Sequence, residues 1–119
     1  MISKILIRCI TKKESGFGHL RRCLILSQQL QDKKFLIQFA IDDNKDAREL
    51  LEQQGFSYFQ FKNNFSIKKE HTELCKIIEK EKINIIILDA RERNEKLSKM
   101  LKRLGQNISK ISTLLKHFY

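Results

Sequence analysis

Proline is absent from the 119 residues, and there is no sequence repeat, no low-complexity segment and no linker composition. That leaves about one domain's length of continuously folded chain. No apolar run reaches the roughly 18 residues of a membrane span, so no span is expected. The first residues, MISKILIRCI, are too short and too charged for a secretory leader, and a cytoplasmic protein is expected. Cysteine is scarce: Cys9, Cys23 and Cys75 are an odd number with no close pair. They supply neither a disulfide framework nor a zinc motif, and Cys9 and Cys23, in apolar surroundings, read as packing residues.

What the chain has in excess is positive charge, +10 in all. Such a balance suits nucleic acid, an anionic membrane surface or an anionic small substrate. Lysines outnumber arginines 17 to 7, and Ile and Asn are abundant, as a compositionally biased genome would produce. The basic residues are scattered, no aromatics interleave with them, and no nucleic-acid-binding motif is present, so nucleic acid is not an expected partner. At 41% hydrophobic the chain can build a core.

The apolar residues alternate between two periods. SKILIRCI (3–10), KFLIQFAI (34–41), FSYFQF (56–61) and INIIILDA (83–90) read as strands. The last is continuously apolar, as suits a parallel strand covered on both faces. Between them, Leu20, Cys23, Leu24, Ser27 and Leu30 mark one face of a helix over 18–31. Ala47, Leu50 and Leu51 mark a second, introduced by Asp42, Asp43 and Asn44 and ended by Gly55. Leu74, Ile77 and Ile78 mark a third over about 67–81. Leu97, Met100, Leu101 and Leu104 mark a fourth over 94–104, stopped by Gly105. Four alternations predict an α/β fold: a Rossmann-like parallel sheet of about four strands with helices on both faces. The following QNISKISTLLKHFY reads equally as helix or strand. The domain is expected over 1–105, with 106–119 as an atypical tail such as truncation or a frameshift would leave.

Ligands of open α/β sheets bind outside the carboxyl ends of the strands. Two features fall there: the turn Gly16-Phe17-Gly18-His19 after the first strand, and Asp89 at the end of the fourth. The glycines allow a tight turn and close approach of a ligand. The helix beginning near Gly18 points free N–H groups and its positive end into the same crevice. His19 can exchange a proton near neutral pH, and Arg22, one turn on, suits a carboxylate or phosphate. The dinucleotide fingerprint fails, because its third glycine would fall at Arg21. An ordinary strand–helix turn with solvated side chains accounts for the same residues. Asp89 could orient His19, accept a sugar hydroxyl, cap the next helix, or pair with Arg91 or Arg93. His71 and His117 read as surface residues. Ser15 lacks a nucleophile-elbow context.

A first strand ending in Arg8, then Gly16-Phe17-Gly18-His19-Leu20-Arg21-Arg22-Cys23 opening a helix with Leu24 and Leu26, resembles the N-terminal domain of the UDP-sugar hydrolases of the pseudaminic acid pathway. The spore-coat polysaccharide proteins share the pattern, and "IIILDA" is similar to the family's apolar strand closing on an aspartate, here Asp89. The likeness runs over roughly residues 3–105. It implies the N-terminal half of a glycosyltransferase-B fold. It implies His19 as the catalytic residue, positioning or activating the water that attacks the anomeric carbon. Arg8, Gly16, Phe17, Gly18, Arg22 and Asp89 are expected on the substrate, and neither metal nor cofactor is expected. The substrate implied is a UDP-diacetamido-trideoxy-hexose. The nucleotide is held mainly by a C-terminal domain, expected here either as a separately encoded partner or as the part missing from a fragment. Two features depart from the family: Ile10 stands where it usually has an acidic residue, and these 119 residues contain no second domain. Three readings follow: the sugar-side half of a nucleotide-sugar hydrolase, the acceptor domain of a related glycosyltransferase, or a binding module without chemistry.

Overall fold

The computed structural model describes residues 3–11, 18–62, 65–89, 94–103 and 110–113. The elements alternate strictly. They are β1 (Lys4–Cys9), α1 (Gly18–Asp32), β2 (Leu36–Asp42), α2 (Lys45–Gln53), β3 (Ser57–Phe61), α3 (Ile67–Glu81), β4 (Ile85–Asp89), α4 (Asn94–Arg103) and β5 (Lys110–Thr113). The strands form one sheet in the order β3-β2-β1-β4-β5, every pairing parallel. This is the Rossmann-like arrangement, and each strand and helix read from the alternation is present within a few residues of its expected ends. Among the described residues no helix is long and apolar enough to cross a membrane.

Side-chain alternation along the strands divides the core in two. Ile5, Ile7 and Cys9 of β1 and Ile37, Phe39 and Ile41 of β2 meet Leu20, Cys23 and Leu24 of α1 and Ala47 and Leu51 of α2. On the other face Leu6, Ala40, Ile86 and Leu88 meet Leu74, Ile77 and Ile78 of α3 and Leu97 and Leu101 of α4. The helices are therefore partitioned, α1 and α2 on one face and α3 and α4 on the other.

Local chemistry sets the ends. Asn44 caps α2, its side-chain oxygen accepting from the N–H groups of Asp46 and Ala47. Gly55 has φ +79°, and the N–H of Phe56 bonds back to the carbonyl of Leu51, so a glycine closes α2 as expected. Ser66 caps α3, accepting from the N–H of Lys69.

All four expected strands are present, and part of the stretch set apart as a tail adds a fifth, β5, paired with β4 from Ile85↔Lys110 to Leu88↔Thr113. The cause is tertiary: the β4 edge has backbone groups and apolar side chains to cover, which local propensity does not register. The rest of 106–119 lies outside the described residues, as do Gly105 and His117. His71 is not a surface residue but 7% exposed. It shares a face of α3 with the buried Leu74 and Ile78, and its Nε2 is 3.4 Å from Cys75 Sγ.

Candidate functional site

From β1 the chain moves outward through β2 to β3, then returns to the other side of β1 as β4 and β5. The order reverses between β1 and β4, and the carboxyl ends of those strands flank the crevice where such sheets bind ligands. Cys9 and Asp89 are register partners there. The N–H of Ile10 donates to the carbonyl of Asp89 at 3.0 Å, carrying the pairing one residue further.

Asp89 follows Ile85 and Ile87 on the α1 face of β4, so its carboxylate turns toward the start of α1. His19, the second residue of α1, meets it: Nδ1 lies 2.9 Å from Asp89 Oδ1, with the side chains 6% and 1% exposed. Arg22 Nη2 lies 3.1 Å from the same Nδ1. One nitrogen cannot serve both, because a guanidinium only donates and a carboxylate only accepts. If Nδ1 accepted from Arg22, its lone pair would face a buried carboxylate oxygen at 2.9 Å. If Nδ1 donates to Asp89, the buried charge gains its strong donor and Arg22 contributes a positive charge alongside. The second arrangement is favoured, and it leaves Nε2 as the basic nitrogen of the ring.

Cys23, one turn after His19 on the same face of α1, reaches the other oxygen, Sγ–H to Asp89 Oδ2 at 3.6 Å. The ligand atoms of Cys9, Cys23 and Asp89 all lie within 4.8 Å of one another, and all three residues are buried. The Cys23 thiol is pushed well above its usual range, first by its contact with Cys9, then by burial and the neighbouring Asp89 charge. Sequence reading placed these cysteines in the core. It missed their convergence on Asp89, which joins positions 9, 23 and 89 and leaves no local signal.

Arg8 is not at this site. Its even position, shared with Leu6, turns it to the α3 face, where it bridges Asp42 (Nη2 to Oδ1, 2.9 Å) and Glu70 (Nη2 to Oε1, 3.2 Å). Its Nε–H also donates to Glu70 Oε2 at 3.2 Å, and Nη1 donates to the carbonyl of Cys9 at 2.8 Å. The guanidinium sits 5.0 Å from the centre of the Phe61 ring. Burial alone would lower its pKa, but Glu70 and Asp42 outweigh that and raise it. Asp42 in turn fixes the end of the β1 extension. Its Oδ2 accepts from the Thr11 N–H at 2.8 Å, and its carbonyl accepts from the Thr11 hydroxyl at 3.0 Å. Asn44 Nδ2 donates to the Thr11 carbonyl at 2.8 Å. The parity of Arg8 with Leu6 was the available signal for this placement.

Of the residues expected at the site, His19, Arg22 and Asp89 come together and Arg8 does not. Gly18 opens α1 and is exposed. A Cβ there would sit 3.7 Å from Arg22 Nη1, ordinary contact, so nothing in the described fold demands a glycine. Gly16 and Phe17 lie outside the described residues, as do Arg91 and Arg93. Comparison with known proteins finds no matching family model, no similar curated protein and no similar solved structure.

Proposed function

We propose that the chain is the sugar-side half of a nucleotide-sugar hydrolase. The observation that carries the reading is the buried Asp89–His19 pair, 2.9 Å apart, at the reversal of strand order. In this reaction His19 Nε2 takes a proton from water. The water oxygen forms a bond to the anomeric carbon of a UDP-linked diacetamido-trideoxyhexose, and the bond from that carbon to the diphosphate oxygen breaks. UDP leaves with the electron pair. Asp89 holds the ring in the required tautomer and faces the positive charge the ring acquires. Arg22 and the amino end of α1 favour an anionic group beside the sugar. The resemblance in Gly16-Phe17-Gly18-His19-Leu20-Arg21-Arg22-Cys23 supplies the substrate class, and a second α/β domain holds the nucleotide.

The test is product analysis on the chain reconstituted with a nucleotide-binding partner domain. His19→Asn retains a donor for Asp89 and loses the proton acceptor. Turnover should fall roughly 100- to 10,000-fold, the usual contribution of a general base, with UDP binding nearly unchanged. An enzyme that binds UDP weakly but turns over bound substrate at the original rate makes His19 a binding residue and sinks the reading. The same pair could deprotonate an acceptor hydroxyl. Transferred rather than free sugar among the products would assign the chain to a glycosyltransferase instead.

A further inference from the structure

Asp89 is 1% exposed, and among the described residues its side chain has two partners. Oδ1 has the imidazole of His19. Oδ2 has a thiol, a weak donor, at 3.6 Å from Cys23. A buried carboxylate oxygen is poorly served by such a partner, and a second thiol, Cys9, stands beside it on the neighbouring strand.

We propose that Cys9, Cys23 and Asp89 bind a thiophilic divalent cation of the zinc class. Zinc bonds of about 2.3 Å to sulfur and about 2.1 Å to oxygen, at the tetrahedral angle, put the two ligand atoms about 3.6 Å apart. Cys23 Sγ and Asp89 Oδ2 are separated by 3.6 Å. The same geometry puts two sulfurs about 3.8 Å apart, inside the 4.8 Å within which all three ligand atoms fall. The ligands come from three elements, β1, α1 and β4, so the packed fold itself assembles them. Two thiolates select zinc, cadmium or cobalt over magnesium or calcium. On binding, each thiol gives its proton to solvent, and the site carries one net negative charge, which Arg22 faces across His19. Asp89 then bridges cation and imidazole, a ligating carboxylate itself held by a hydrogen bond. Three protein ligands leave a fourth position for water or an oxygen of a bound molecule.

Cobalt(II) tests this on the full chain under reducing conditions. One Co²⁺ per chain should give a thiolate-to-cobalt charge-transfer band and the visible bands of four-coordinate cobalt, both removed by Zn²⁺. Cys9→Ser and Cys23→Ser should each weaken binding by more than the roughly 10- to 100-fold that losing an outer partner costs. Cys75→Ser, on α3, should leave it unchanged. No charge-transfer band in the reduced wild-type chain overturns the proposal. So does a band that survives the Cys9→Ser/Cys23→Ser double variant, or one lost with Cys75→Ser. X-ray absorption at the zinc edge of the wild-type chain needs no variant: two sulfurs per zinc supports the site, and any other number overturns it. The readout is metal binding, so its failure leaves the hydrolase reading standing, and that reading can fail while the cation still binds.

Discussion

Asp42 and Glu70 are buried carboxylates on β2 and α3, and Arg8 is the cation between them. Removing one partner of a buried pair leaves charge without compensation, which costs about 3–5 kcal/mol. Arg8→Leu keeps apolar volume and should lower unfolding stability by that amount in urea titration. A loss under about 1 kcal/mol would show that the network does not hold the α3 face. Arg8→Lys should lie between, because a lysine cannot reach both carboxylates with a planar fork. Sequence alone reveals an arginine closing an apolar strand and sets the expectation that it lies on the substrate. The two-residue period of β1 puts it on the face away from His19, and in a parallel sheet that period outranks nearness along the chain. His19 and Asp89 were legible for the converse reason, since each stands just past the end of a recognisable element.

Helix α1 is the element that carries the site. Its buried stripe, Leu20, Cys23, Leu24 and Ser27, follows from spacing alone and places His19 over the strand ends. Gly18 is the exception to its helical composition. Alanine is the better helix former by up to about 1 kcal/mol, and a Cβ would meet only the flexible end of Arg22. Gly18→Ala should therefore leave the melting temperature unchanged or slightly raised. If substrate approaches the amino end of α1, the added methyl should still lower turnover in the reconstituted enzyme, on the order of 100-fold for a displacement near 1 Å. Unchanged turnover would place the substrate elsewhere. Strands β1 to β4 and the four helices were legible because each buries its own apolar pattern. β5 was legible only as helix or strand alike, since its Lys110–Thr113 sequence becomes a strand through the edge it covers.

Across the whole molecule, β1 is the central strand, and its two neighbours lie at different distances along the chain. The contact of Arg8 with Ala40 of β2 spans 32 residues, whereas that of Lys4 with Asn84 beside β4 spans 80. Closing the longer loop costs just under 1 kcal/mol more in chain entropy, by the roughly 0.6 kcal/mol per doubling. Pulse-labelled hydrogen exchange during refolding should therefore find β1, β2 and β3 amides protected before those of β4. Simultaneous or earlier protection of β4 would refute that order. The two polar clusters then mature at different moments. Arg8, Asp42 and Glu70 are all present once α3 has been synthesised, but His19, Cys9 and Cys23 wait for Asp89. On a ribosome that emits about 5–20 residues per second, the nascent chain passes through an interval in which its two thiols are made but their carboxylate is not. That interval should be when Cys9 and Cys23, both buried in the finished fold, are most open to oxidation, and docking of β4 should end it.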